Sequence, residues 1–257
     1  MRFVDLSIPL SNDVVTDPPP LRPRIDYSDH KQGVAQMLPF FPGLTQADLP
    51  DNAAWAVEEV QLSTHAGTHM DAPWHYHPTT DNGTRPAPTI DQAPLDLFFR
   101  PGVKLDFRRF ADGYVATAAD VEAELARIGH DLKPFDIVLV NTAAGAAYGG
   151  PDYVATGCGI GREGTNYLTG RGVQVVGTDA WSWDAPFVHT ARAYATSGDA
   201  RLIWEGHKAG RERPYYQMEK LHQLETLPAT GFTVICFPIK VERASAGWVR
   251  AVAMFEA

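Results

Sequence analysis

Seven runs of apolar and β-branched residues, at positions 2–9, 57–64, 135–141, 173–177, 201–204, 232–241 and 248–255, predict strands. Between them the spacing changes. Thr117-Ala-Ala-Asp120 reads as a capping box that opens a helix running to about Ile128, where Gly129 supplies a stop. A second helix is predicted between Gly159 and Leu168, ahead of the turn at Gly170-Arg171-Gly172. The order strand 135–142, helix, strand 172–179 is a crossover unit, which predicts parallel pairing inside a mixed sheet. The expected class is therefore α/β with mixed α+β character, in a single domain over 1–257. Segment 17–50 breaks the pattern: it contains PPPLRPR and LPFFPGL, which exclude regular helix and predict an ordered excursion over the surface.

Composition narrows the partners. A chain of 257 residues, 44% hydrophobic, can bury a substantial core. Its 22 Lys and Arg against 31 Asp and Glu give a net charge of −9 with no basic block. That balance argues against nucleic acid and against anionic membrane surfaces, and leaves a small molecule as the expected partner. The N-terminal residues contain no signal-like apolar stretch, and no run reaches the roughly 18 apolar residues of a membrane span, so a soluble cytoplasmic protein is expected. Cys158 and Cys236 belong to no CxxC pair and read as structural.

The chemistry concentrates in one place. Four of the nine histidines, His65, His69, His75 and His77, fall within the stretch LSTHAGTHMDAPWHYH. His65 and His69 are four apart and could share one helix face, as in HExxH sites, but Gly67, Asp71 and Pro73 and the alternation of 57–64 favour a strand end followed by a tight loop. A turn at Gly67-Thr68 can bring His65, His69 and Asp71 together as two imidazoles and a carboxylate, with coordination positions left open. No GxSxG elbow or GxxxxGK[ST] loop is present, and Gly157-Cys158-Gly159-Ile160-Gly161 is too incomplete to bind a nucleotide.

The run His65-Ala-Gly-Thr-His69-Met-Asp71-Ala-Pro-Trp-His75 resembles the HxGTHxDxPxH signature of the metal-dependent cyclase-like hydrolases, a family that includes bacterial kynurenine formamidase and isatin hydrolase. Downstream, Gly177-Thr-Asp179-Ala-Trp-Ser182-Trp-Asp184 is similar to the family's GxDxxSxD pattern, and His207 and Glu219 stand at the family's twelve-residue separation. The resemblance implies a swivelling β/β/α fold and a homodimer or higher oligomer. It also implies that His65, His69 and Asp71 are primary metal ligands and that His75 is the proton donor and acceptor. Asp71 and Glu219 would bridge two ions with His207 completing the second site, or a single manganese would suffice. Zinc, manganese or iron suits such donors. The implied activity is hydrolysis of an amide C–N bond in a small cyclic or aromatic substrate. A lactone hydrolase, and a metal-binding protein without turnover, are the alternatives. Trp74, Phe40, Phe41, Trp181, Trp183 and Phe187 flank the motif loops or lie in the excursion and are candidates to wall a pocket for a planar substrate. The long proline-rich excursion and the bulky Trp181 and Trp183 are this chain's departures from compact kynurenine formamidases.

Overall fold

Nine strands form the central sheet of the computed structural model, which describes residues 1–256. They are β1 (Arg2–Asp5), β2 (His69–Asp71), β3 (Phe99–Asp106), β4 (Ile137–Asn141), β5 (Val175–Thr178), β6 (Tyr216–Glu219), β7 (Phe232–Ile235), β8 (Ala246–Trp248) and β9 (Val252–Phe255). Their spatial order is β1-β9-β7-β3-β4-β5-β6-β2-β8. The inner strands β3, β4, β5 and β6 run parallel. The outer ones pair antiparallel on both sides, making the sheet mixed.

The strands β4 and β5 are apolar along most of their length because both faces are covered. In β4, Ile137 and Leu139 pack on one face with Met70, Val175 and Met218. Val138 and Val140 pack on the other with Val121, Leu125, Leu168 and Val176. Two helices cover that second face: α1 (Ala118–Ile128) and α2 (Arg162–Thr169). The capping box that starts α1 is formed, with the Thr117 N–H donating to Asp120 Oδ2 at 2.8 Å, and Gly129 closes the helix at φ 65°. The predicted second helix starts later than its sequence suggests, because Gly159–Ile160 first pairs in parallel with Val115–Ala116.

Several elements differ from the pattern-based expectation. Residues 201–204 are not a strand: the Asp199 carboxylate accepts from the Arg201 N–H, capping a 3₁₀ turn at Ala200–Leu202, and Trp204 at φ 60° opens the helical turn Glu205–Lys208. The 248–255 run is broken between β8 and β9, where Val249 N–H is taken by the Thr68 carbonyl. The 232–241 run ends as a strand at Ile235. Val57–Gln61 is a strand but lies outside the central sheet, paired with Arg24–Ser28 in a hairpin of the excursion. The excursion also contains one regular helical piece, Gln32–Met37. A third helix, α3 (Phe187–Ser197), buries none of its residues, so no apolar stripe announced it.

The pairing that positions the site is β6 against β2. Gln217 lies opposite Asp71, Met218 opposite Met70 and Glu219 opposite His69. With a side-chain period of two, the methionines turn into the first core while the four polar side chains share the opposite face. Met218→Ala removes the packing directly behind Gln217 and Glu219, and is expected to cost about 2–5 kcal/mol of stability. Denaturant unfolding measures it, and an unchanged midpoint would mean that these strands are not held from behind.

Candidate metal-dependent active site

Gly67, at φ 63°, reverses the chain so that His65 folds back over β2; a Cβ there would lie 2.6 Å from Leu10 Cδ2. His69 and Asp71 follow on one face of β2. Pro73 then starts a helical turn, Pro73–Tyr76, that returns His75 toward Asp71. Thus the cluster is a turn, a strand and a helical turn in succession, rather than a strand end and the loop after it.

Asp71 is the hub. Its carboxylate, fully buried, lies 2.9 Å from His65 Nδ1, 3.2 Å from His69 Nε2, 3.6 Å from His207 Nε2 and 3.9 Å from His75 Nε2. Ligand atoms of His69, Asp71 and Glu219 lie within 4.8 Å of one another, as do those of His65, Asp71 and His75. His207 comes from the helical turn Glu205–Lys208. Its Nδ1 is held by Asp184, which also accepts from the Gly206 N–H at 2.7 Å, leaving Nε2 3.5 Å from Glu219 Oε1. Such a carboxylate–imidazole pair fixes the ring and its tautomer.

Two buried atoms show what the cluster suits. His69 Nδ1 faces the Gly67 carbonyl at 2.9 Å and so carries the proton, which leaves a lone pair on Nε2. That nitrogen and Asp71 Oδ1 are both buried without a hydrogen-bond partner, facing each other at 3.2 Å. Two lone-pair donors in contact with no proton between them are the donor set of a cation, and two imidazoles with a carboxylate suit zinc or manganese. The residues therefore fit a divalent ion.

The charges agree. Burial works against an ionised Asp71, but the surrounding imidazoles hold its carboxyl well below the usual carboxylate range. Burial, then the Asp71 charge, raises Glu219. Burial opposes the imidazolium of His207, and the Asp184 and Asp71 carboxylates more than offset it, raising it to about 10. A cation between those carboxylates would compete with that proton. His75 differs: burial, helped by the neighbouring histidines and opposed by Asp71, lowers it to about 4, so it is a free base at neutral pH.

Gln217 was not singled out by sequence, although its alternation with Glu219 on one strand was a signal. Its amide nitrogen lies 2.8 Å from Glu219 Oε1, 2.9 Å from His207 Nε2 and 3.3 Å from Asp71 Oδ2. It thus sits among the three groups that would form a second ion's site. The Tyr215 hydroxyl lies 3.0 Å from both Gln217 Oε1 and the Gly206 carbonyl and links the amide to the turn that carries His207.

A cavity of about 300 Å³ opens onto His65, His75, His207 and Glu219. Trp181 and Phe187 line it, packed edge to face at 5.3 Å. So does Trp204, which sequence analysis had placed in a strand; it stacks on His207 and meets His75 edge-on at 5.1 Å. Trp183 is in the core instead, its indole N–H donating to Thr165 and its backbone N–H orienting Glu219 Oε1 at 3.0 Å. Trp74, Phe40 and Phe41 are exposed and outside the cavity wall, with Phe40 packed against Trp55. Cys158 and Cys236 are buried, and burial pushes the Cys158 thiol up to about 12, far from thiolate chemistry.

Comparison with known proteins gives the chain a family. Residues 4–185 match the family described as Cyclase. Kynurenine formamidase of Salinibacter ruber is 30% identical over 205 residues, covering 79% of this chain and 81% of its own. That of Paracidovorax citrulli is 27% identical over 83% of this chain and 89% of its own. Isatin hydrolase A from Ralstonia solanacearum shares the fold with a TM-score of 0.76 at 22% identity, over 99% of this chain and 92% of its own. Isatin hydrolase A from Labrenzia aggregata, solved with benzyl benzoate, gives a TM-score of 0.73 at 22% identity, over 100% of this chain and 94% of its own. With the signature, the buried donor set and these matches in place, the chain belongs to the cyclase family of metal-dependent hydrolases.

Proposed function

We propose that this protein is a metal-dependent hydrolase that cleaves the amide C–N bond of a small cyclic or aromatic substrate. The observation that carries the reading is the pair of unsatisfied buried donors, His69 Nε2 and Asp71 Oδ1, beside the unprotonated His75 at the mouth of an aromatic cavity. His65, His69 and Asp71 would hold a zinc or manganese ion, which when bound supplies Lewis acidity for a water and a carbonyl. The chain's own residues do the rest. His75, as a free base, accepts the proton of the attacking water and returns it to the leaving nitrogen, so one imidazole serves both transfers. Trp204, edge-on to His75, limits its tilt, while Trp181 and Phe187 offer a face and an edge to a planar ring. Relatives named for kynurenine formamidase and isatin hydrolase act on amide bonds of this kind. A storage protein would have no use for a free imidazole there.

His75→Ala is expected to keep the ion while lowering kcat by a factor on the order of 10² to 10⁴. Metal analysis beside steady-state kinetics on N-formylkynurenine, isatin and a dienelactone tests both halves. A fully active variant would remove His75 from proton transfer, and turnover of the lactone alone would favour the ester reading.

The position of the Gln217 amide supports one ion per chain. Its two N–H groups can donate to Glu219 Oε1 and Asp71 Oδ2 while the nitrogen sits 2.9 Å from His207 Nε2, so the amide stands among the groups a second ion would need. Elemental analysis after dialysis against zinc, and separately manganese, should give one equivalent in the wild type and in His207→Ala. Gln217→Ala should allow uptake of a second. Two equivalents in the wild type would refute the single-ion reading.

The assembly we propose is a homo-oligomer. The strand Val57–Gln61 is exposed along its whole length, with Tyr27, Trp55 and Phe40 also open, and α3 exposes Phe187, Val188 and Tyr194. A two-stranded hairpin is marginal without a covering surface, and a second copy of the chain would provide it. Light scattering of the eluting protein should report a dimer or larger, and Phe40→Ser with Phe41→Ser should shift it toward monomer. A wild type that elutes as a monomer refutes this.

A further inference from the structure

The two imidazoles nearest Asp71 Oδ1 are held in different ways. His69 presents Nε2, and its Nδ1 faces the carbonyl of Gly67, so its own turn fixes the tautomer. His65 presents the other nitrogen. Its Nδ1 lies 2.9 Å from Asp71 Oδ1, within the ligand-atom group of His65, Asp71 and His75. Its Nε2 meets the Ser245 hydroxyl at 2.9 Å, on a residue 180 positions away along the chain.

Ser245 is itself fixed. It directly precedes β8, in which Ala246 pairs with Asp71 and Trp248 with His69. Its carbonyl accepts from the Ala72 N–H at 2.8 Å. Just before it, the Ala244 carbonyl accepts from the Ile90 N–H and the Arg243 N–H donates to Asp91 Oδ1 at 3.0 Å. The strand also grips the approach to His65, because the Trp248 indole N–H donates to the Ser63 carbonyl at 2.9 Å. The edge strand of the sheet thus holds the His65 arm both at its backbone and at its ring.

A serine hydroxyl can give or take a hydrogen bond, so the contact alone leaves the tautomer open. The other side of the ring decides it. Asp71 Oδ1 has no hydrogen-bond partner although His65 Nδ1 lies 2.9 Å away, so a proton on Nδ1 would not be aimed at it. With the proton on Nε2, donated to Ser245 Oγ, the Nδ1 lone pair stands beside those of Asp71 Oδ1 and His69 Nε2. Three lone pairs then converge with no proton among them, which suits a cation. The His75 ring lies 4.1 Å from that of His65, so a turn of the His65 ring would also disturb the free base.

We propose that Ser245 is a positioning residue of the metal site: its hydroxyl accepts from the His65 Nε2–H and so keeps Nδ1 unprotonated and turned toward the ion. This makes the edge strand β8 part of ion binding. It rests on the metal-dependent reading and names the residue that readies one ligand of that site.

The test compares the full chain with Ser245→Ala, which removes the hydroxyl and adds no bulk, and Ser245→Thr, which keeps it. Zinc affinity is read by competition with a chromophoric chelator. Ser245→Ala should weaken it by about 10- to 100-fold, the usual effect of deleting the partner of a metal-bound imidazole, while Ser245→Thr should stay near the wild type. An unchanged affinity in Ser245→Ala, or an equal fall in both variants, would overturn the assignment. A second arm reads the tautomer by nitrogen NMR of the metal-free, histidine-labelled protein at alkaline pH, where the ring is neutral, with His65→Gln to identify its signals. His65 should carry its proton on Nε2 in the wild type and lose that preference in Ser245→Ala, a change that a contact serving only to pack the loop would not produce. A proton on Nδ1 in the wild type, or the same tautomer in both proteins, also overturns the assignment. Failure of the wild type to bind zinc or manganese counts against the metal-dependent reading, and the tautomer arm, which needs no metal, still decides the role of Ser245.

Discussion

The cross-strand register of β6 on β2 is the constraint on which the site depends. It sets Gln217 against Asp71 and Glu219 against His69, so a carboxylate, an imidazole, an amide and a second carboxylate share one face. A slip of one residue would drive all four into the core now filled by Met70 and Met218 and bring the methionines to the site. The parallel strands β3 to β6, buried on both faces, give that register a rigid backing. The site forms where parallel pairing gives way to antiparallel, because there the strand ends carry polar side chains instead of continuing the core.

Orientation is then delegated to groups that never need to touch a substrate. Gly67 supplies the reversal and its carbonyl fixes the tautomer of His69. Asp184 aims His207, and the Trp183 backbone N–H aims Glu219. Tyr76 and Tyr215 stack at 4.9 Å behind the cluster and exclude water from that side. Each of these is itself held by hydrogen bonds or packing against the sheet, so the donor set is preorganised. The cavity side is built differently, from the loop after β5, the turn carrying Trp204 and the start of the excursion. A rigid floor with walls drawn from loops lets one chemistry serve different substrates among relatives.

What could be read from the sequence follows from where each residue's partners lie. The strands β4 and β5 were legible because burial on both faces makes an unbroken apolar run. β3, the longest strand, was not, because Arg100-Pro101-Gly102 interrupts its run while its backbone still pairs with β7. β2 and β6 were missed because half of their side chains belong to the site, which removes the apolar signal. The histidine cluster was conspicuous locally, and its resemblance to the family carried His207 and Glu219, whose contacts with Asp71 and His69 are made only through strand pairing distant in sequence. The mixed α/β class followed from the order strand, helix, strand and the family from that resemblance, and both agree with the matched relatives. Gln217, Trp204 and Ser245 carried no local motif. Their placement depends on strand register and, for Trp204, on a left-handed backbone position, which composition does not announce.

Charge balance connects these pieces. Asp71 and Glu219 are both buried, and each makes ionisation of the other harder unless a positive charge lies between them. Their two formal negative charges match one divalent ion. Asp17 and Lys220 neutralise each other beside it, and Asp184 serves His207. A second divalent ion would leave an excess of positive charge in a nearly dry interior, with Gln217 able to offer an amide but no carboxylate to offset it. The amide among Glu219, His207 and Asp71 is therefore consistent with the electrostatics of the whole cluster: it brings neutral N–H groups there, and the Asp71 and Glu219 carboxylates together would balance the charge of a single divalent ion.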